Sequence, residues 1–491
     1  MNGPPDLRPL FDPRGVVVVG ASSHPGKFGF VALHNILSQG FAGPVFATNR
    51  DGGEILGVRA VPRIDDLPPG VPIDLAVLCT PAGANPEVMA HCARRGIRAV
   101  FVTSGGYREA GEEGARAERD LAAHAARLGL LLAGPNGQGL VSTPSRLCAQ
   151  IVAPYPPAGT IGVASQSGNL VSSFLNLARA TGVGVSRAVS AGNAAALGVV
   201  DYLAWYATDP HTTVSLAYLE QVTDGRAFAE RLRDLSAAGP VVLLKGGVTE
   251  GGQRAAASHT GALASDQRIF AGACAQAGVT YATDPEEAFE AAATFATQPL
   301  PAGDRVGVLT TAGGWGVLTA DALGRHRHLR LVPLPDDLRA ELDRRLPPRW
   351  SRNNPVDLAG GETRDTIPEV LELMAAHPDL DAIVYLGIGI QSNQARLMRD
   401  GPFAHDPAVE RIVGYHERQD ARFARAAAQA SAATGKPVLV ATELAVADPA
   451  NPGPATVRET GRLCYPSAPR AVRALGHLVR YARWRARHGL D

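Results

Sequence analysis

Aromatic residues make up only 5% of the 491-residue chain, and lysine is confined to Lys27, Lys245 and Lys436. The five cysteines, Cys79, Cys92, Cys148, Cys274 and Cys464, stand far apart. With no C-x-x-C and no histidines at ligand spacing, neither a disulfide framework nor a zinc site is expected, and a reducing cytoplasm fits. Basic and acidic residues both total 47, so the formal net charge is zero. That removes the electrostatic case for a nucleic-acid or anionic-membrane partner. No apolar run approaches the ~20 residues of a membrane span. The start, Met1-Asn2-Gly3-Pro4-Pro5-Asp6, lacks the basic and apolar regions of a signal peptide. A soluble cytoplasmic protein is expected, with no metal site.

What is present is ordinary globular material, 45% hydrophobic and 19% charged, in a length that suits about three domains of ~150 residues. Val16-Val17-Val18-Val19 reads as a strand buried on both faces. A glycine-bearing turn from Gly20 to Gly29 follows, then an amphipathic stretch from Val31 to Leu37. Strand, glycine turn and helix open a doubly wound nucleotide-binding fold. Further strands are predicted at 45–48, 75–79, 99–102 and 130–132, the last just before Gly134-Pro135-Asn136, and this domain closes near residue 145.

The dinucleotide fingerprint G-x-G-x-x-G is missing, since the glycines fall at 20, 26 and 29. The second strand ends in Asn49-Arg50 and not in the acidic residue that would hold an NAD ribose. Lys27 and Arg50 instead suit a ligand carrying extra phosphate, NADP or coenzyme A. The G-x-x-x-x-G-K phosphate loop is missing as well.

Pro154 to Gly159 reads as a linker. A strand at 160–164 then runs into Ser165-Gln166-Ser167-Gly168 and a helix from Leu170 to Ala180, with later strands at 186–188, 213–219 and 241–245. A second proline-rich join lies at 298–303. Beyond it the pattern repeats. Arg305 to Gly316 parallels the Ser165–Gly168 unit, Ala382–Leu386 parallels Val214–Leu219, and Pro437–Val440 parallels Val241–Leu244. In this match Glu220 falls opposite Gly387, and nothing after Val440 resembles the small-residue loop Ala257-Ser258-His259-Thr260-Gly261-Ala262-Leu263. Three α/β domains are therefore expected: a Rossmann-like domain over 1–145, then two flavodoxin-like doubly wound domains over 146–299 and 300–491. The Arg- and Ala-rich stretch 393–429 reads as an exposed helix.

Gly20-Ala21-Ser22 with Pro25-Gly26-Lys27, Gly134-Pro135-Asn136, Ser165-Gln166-Ser167-Gly168, Tyr218-Leu219-Glu220, the His259 loop and Asn354-Pro355-Val356-Asp357-Leu358 come in an order and spacing that resembles the nucleoside-diphosphate-forming acyl-CoA synthetases, relatives of succinyl-CoA synthetase. The resemblance covers residues 8 to 450. It implies coenzyme A binding through Gly20, Ala21, Ser22, Gly26, Lys27, Gly29, Asn49 and Arg50, with Asn136 near the thiol. It also implies a phosphorylated His259 oriented by Glu220. Ser165, Ser167, Gly168 and Gly261, with Gly313 and Gly314 of the third domain, would bind phosphate. Independent of the family, helix N-termini offer free N–H groups and a positive dipole to a phosphoryl group, and a carboxylate on one imidazole nitrogen makes the other more nucleophilic.

Two departures from the family stand out: Gly137 where a Cys is usual, and Trp315 where a Pro is common. No stretch remains for the ATP-grasp module the family uses. The resemblance therefore implies an α-like subunit of an oligomer whose ATP, ADP and Mg2+ are held by a partner subunit, with acyl-CoA or a carboxylic acid as substrate. A non-catalytic CoA-binding protein and an NADP-dependent oxidoreductase are the rival readings.

Overall fold

The computed structural model describes residues 4–152, 154–222, 224–254, 267–360 and 365–490. They fall into two compact units: Met1–Ala180 with Gly184–Ala292, and Thr181–Val183 with Ala293–Asp491. The first unit holds two sheets and the second unit one. Among the described residues no helix is long and apolar enough to cross a membrane.

The first sheet has the spatial order Gly53–Ile55, Val58–Val61, Val45–Thr48, Val16–Val19, Leu75–Leu78, Ala99–Val102, Leu131–Ala133. Only the edge hairpin of its first two strands is antiparallel. The central strand Val16–Val19 is buried at every residue, as a β-branched run covered on both faces should be. The order turns back on either side of Val16–Val19, which leaves a crevice at the carboxyl ends of Val16–Val19 and its neighbours.

The second sheet runs Thr280–Ala282, Val241–Lys245, Val214–Leu219, Ala158–Ser165, Val185–Ser190, Gly139–Ser142, Leu147–Gln150. Both strands flanking the expected boundary at residue 145 belong here, paired antiparallel at the sheet edge. The third sheet has the order Arg330–Leu331, Arg305–Thr310, Ala382–Leu386, Val438–Ala441, Cys464–Tyr465, with Val356–Asp357 also pairing with Arg305–Thr310. From Thr280–Ala282 inward, the second sheet and the third share one strand order, so the duplication read in the sequence is a duplication of topology.

The register refines the match between the copies. Ser165 lies opposite Tyr218, and Thr310 lies opposite Leu386. Counting on from there, the counterpart of Glu220 is Ile388 and not Gly387. The stretch 393–429 is also corrected: it spans Ile390–Arg399 and Pro407–Thr434, and the longer helix buries Val413, Phe423, Ala424 and Ala427. Alanines every three or four residues build that face, with arginines kept to the outside. Asn354 is 5% exposed and uses its amide to bond Val306 O, Val332 O and Val308 N, each at 2.8–2.9 Å, which closes the gap where two short strands share one neighbour.

Arg187 is fully buried in the second sheet. Its guanidinium reaches Asp12, in the segment leading into the first sheet, at 2.6 Å and Asp209 at 2.9 Å. In the first sheet Asp74 is 1% exposed and receives the Arg14 side chain in a two-point contact at 2.8 Å and the Arg14 amide at 2.9 Å. The Arg14 hydrogen bond, working against burial, holds its carboxyl at about 2, below the ordinary 3.8. A depressed folded-state value stabilises the protein above the unfolded value and is lost as pH falls toward the folded one. Asp74→Asn should therefore cost ~2 kcal/mol at neutral pH, measured by denaturant titration. Its stability curve should also be flatter than that of the unmodified chain between about pH 4 and pH 2.

Candidate functional site

Two clefts in the first unit collect about half of the predicted residues, four in each. The first, about 700 Å3, opens at the carboxyl ends of Val16–Val19 and Val45–Thr48 and is lined by Gly20, Ala21, Asn49 and Arg50, among others. Gly20 has φ +79°, and a β-carbon on it would lie 2.9 Å from Cys79 O, so the turn requires glycine. Asn49 donates its side-chain amide to Ala21 O at 2.7 Å. It braces the turn and leaves Arg50, which is exposed, as the charge at the rim.

The turn continues through Ser22, whose hydroxyl accepts from His24 N at 3.0 Å. The exposed Gly26 and Lys27 bring it to the helix Phe28–Ser38. Gly29 does not face either cleft. It is buried, and a β-carbon there would sit 2.1 Å from Gly20 O. Packing accounts for the glycine: it lets the helix touch the turn.

The second cleft, about 550 Å3, brings together Asn136, Ser167, Gly168 and Glu220, which are far apart in sequence, and adds Phe28 from the head of the first helix. Asn136 has φ +58°. Its loop is gripped by the loop after Val185–Ser190, where Asn193 N donates to Pro135 O at 2.9 Å and Ala195 N to Gly134 O at 3.0 Å. Gly137, where the family usually has Cys, is buried, and a β-carbon there would meet the Phe101 ring at 2.6 Å and Ser190 O at 2.7 Å.

Ser165 does not line the cleft. Its side chain is fully buried, its hydroxyl donates to Ser167 O at 2.6 Å, and it accepts from Ser167 N at 3.0 Å. The expected phosphate donor is instead a brace that shapes the strand-to-helix turn, so that Gly168 starts the helix Gly168–Thr181. Thr310 repeats it in the second unit, with 2.9 and 3.0 Å bonds to Ala312, ahead of the helix Gly313–Arg325. Gly313 and Gly314 are exposed there, and the Asp357 carboxylate lies 2.8 Å from where a Gly313 β-carbon would be.

Glu220 is half-buried at the end of Val214–Leu219. Gln166 fixes its backbone, the side-chain oxygen accepting from Glu220 N at 2.6 Å and Gln221 N at 3.1 Å. The Tyr218 hydroxyl reaches the Glu220 carboxylate, and burial together with that charge pushes the phenol well above its ordinary value. Lys245, 6% exposed, donates to Gly246 O at 2.9 Å and Glu220 O at 3.4 Å. Burial lowers its ammonium, and the Glu220 charge works the other way. On the far wall, burial opposes the Glu109 charge, yet hydrogen bonds, foremost from Asn193, keep its carboxyl below the ordinary range.

Sequence reasoning missed Gln138, Gln166 and Asn193 as site residues; the signal for Gln166 was its place inside the Ser165–Gly168 motif, and Gln138 and Asn193 had none. Lys245 had a signal in its rarity. His259 and Gly261 lie outside the described residues. Also among the described residues, no group of three or more His, Cys, Asp or Glu could hold a metal ion.

A Rossmann-like domain with a glycine-turn cleft, followed by two flavodoxin-like domains of one strand order, defines the class of CoA-dependent ligases. Three family profiles match in that order: the CoA binding domain over 14–143, the succinyl-CoA ligase like flavodoxin domain over 158–295, and the ligase-CoA domain over 306–390. The chain is 32% identical to the ADP-forming acetate–CoA ligase I subunit alpha of Pyrococcus furiosus, over 98% of this chain and 99% of that one. It is 35% identical to the ADP-forming acetate–CoA ligase I of Archaeoglobus fulgidus over 76% of this chain but 54% of that protein. The acetyl-coenzyme A synthetase 1 of Ca. Korarchaeum cryptofilum, solved with phosphate and ADP, matches with a TM-score of 0.83 at 31% identity over 98% of both chains. This chain belongs to the ADP-forming acyl-CoA synthetase family.

Gly29→Ala should lower stability by roughly 1–3 kcal/mol and weaken coenzyme A binding about tenfold or more by calorimetry. Gly225→Ala, at a position with nothing within 4 Å of the added carbon, should change neither.

Proposed function

We propose that this chain is the CoA-binding, α-like subunit of an ADP-forming acyl-CoA synthetase, which converts acyl-CoA, phosphate and ADP reversibly to acid, CoA and ATP. The observation that carries this reading is the second cleft, where Asn136, the helix start at Ser167-Gly168 and Glu220 meet. The first cleft, through Gly20, Ala21, Asn49 and Arg50, is large enough for the nucleotide end of coenzyme A, with Ser22, Gly26 and Lys27 offering amides and a positive charge to its phosphates. The Ser22–Lys27 turn leads to Phe28 on the second cleft, so a ligand following it would bring its thiol end toward Asn136.

Phosphate held at the start of the helix Gly168–Thr181 would attack the thioester carbonyl. The C–S bond breaks, CoA leaves as the thiolate, and acyl phosphate forms. A ring nitrogen of His259 then takes the phosphoryl group, the P–O bond to the acyl carbon's oxygen breaks, and the carboxylate leaves. Glu220 orients the imidazole, and the negative charge on phosphorus is met by free helix N–H groups. Gly261 and the helix start at Gly313-Gly314 are further anion-binding candidates. Passing the phosphoryl group to ADP, with Mg2+, falls to an ATP-grasp partner subunit in an oligomer. That the Archaeoglobus relative is nearly twice as long as the part matched here supports a separate module.

His259→Asn should abolish labelling of the chain from acyl-CoA and radiolabelled inorganic phosphate and leave coenzyme A binding intact. Labelling that survives the substitution defeats the assignment.

A further inference from the structure

Gln138 does something that packing does not explain. Its backbone is fixed at both ends: its N–H donates to the Ser190 hydroxyl at 3.0 Å, and its carbonyl accepts from Ile151 N at 3.0 Å. The side chain lies against Gly168, and both residues line the second cleft. A β-carbon on Gly168 would be 2.2 Å from Gln138 Cδ and 2.5 Å from its Oε1. Gly168 is thus glycine so that a carboxamide can rest on the first residue of a 14-residue helix.

That carboxamide is weakly held. Nε2 donates to Asn169 Oδ1 at 3.3 Å, on the same helix turn, and Oε1 is shielded from solvent with no hydrogen-bond partner among the described residues. A side chain placed for packing alone would be apolar, because an unmade hydrogen bond in a buried place is unfavourable. An uncharged oxygen at the positive end of a helix stands where an anion's oxygen would be more stable.

We propose that Gln138 is a catalytic residue of the phosphoryl step. In this structure its carboxamide covers the helix start at Gly168. When phosphate or acyl phosphate arrives, the side chain turns about its own torsions, since its backbone is pinned, and Nε2 donates to a phosphoryl oxygen. This rests on the proposed function and adds the residue that recognises the anion.

The test is labelling of the full chain by acetyl-CoA and radiolabelled inorganic phosphate, read as the phosphate concentration for half-maximal labelling and as the rate at saturation. Gln138→Glu puts a permanent negative charge on the helix start and should raise half-saturating phosphate by about tenfold or more. Gln138→Leu keeps the bulk and removes the donor, and should lower the saturated rate by about tenfold. Both variants should bind coenzyme A like the unmodified chain in calorimetry, which also shows that they fold. Half-saturating phosphate within roughly twofold of the unmodified value in Gln138→Glu, or an unchanged rate in Gln138→Leu, overturns the role of Gln138. An unmodified chain that binds coenzyme A but takes no label overturns the proposed function itself.

Discussion

Arg187 is the constraint on which the first unit depends. A guanidinium with no contact with solvent survives only if every charge and donor is answered. Here Asp12 and Asp209 supply two carboxylates, and Phe11 O and the Ser142 hydroxyl accept further bonds. The Phe11 and Trp205 rings lie 5.9 and 5.4 Å from its charge centre. These partners come from the helix Arg8–Phe11 and the residue after it, from the strand Gly139–Ser142 of the second sheet, and from the helix Val199–Tyr206 and the turn that follows it. One cation therefore locks together the two domains whose loops meet at the second cleft. Truncating it would leave the buried Asp209 carboxylate unpaired, at roughly 3–5 kcal/mol.

Once the domains are locked, the cleft is shaped by close backbone approaches and by neutral amides. Gly192 could carry no β-carbon, since Pro135 O would lie 2.3 Å away. Gln166, Gln138 and Asn193 do the positioning without adding charge, and the charged side chains of the lining are Arg108, Glu109 and Glu220. Such a lining suits an anion that must be bound and then handed on.

The two flavodoxin-like domains keep the same scaffold and diverge at the strand ends. Gly162 and Gly307 occupy one register position in their sheets, and each lets neighbouring side chains close over the strand. Ser165 and Thr310 make the same bracing bonds. Where the second domain ends its strand in Glu220, the third has Ile388, fully buried, in a turn pinned by Asp420 and Asn451. Burial lifts the Asp420 carboxyl above its ordinary range. That carboxylate serves the backbone of the turn, as a structural copy of a chemical position.

The sequence by itself determined the three-sheet architecture, the duplication and the family. Runs such as Val16–Val19 and Ala382–Leu386 are hydrophobic enough to be buried strands in any context, and the glycine turns after them have few alternatives. It also pointed to Gly20, Asn136, Gly168 and Glu220, each of which lines one of the two clefts. Tertiary structure alone decided the rest. Ser165 and Gly29 turned inward because a neighbour's backbone needed the hydroxyl or the missing β-carbon, and one residue of register moved the partner of Glu220 to Ile388. Gln138 came to lie on Gly168 only when Gly139–Ser142 and Ala158–Ser165 took their places on either side of Val185–Ser190, and a contact between residues thirty apart has no trace in local pattern, since it is set by packing and not by propensity.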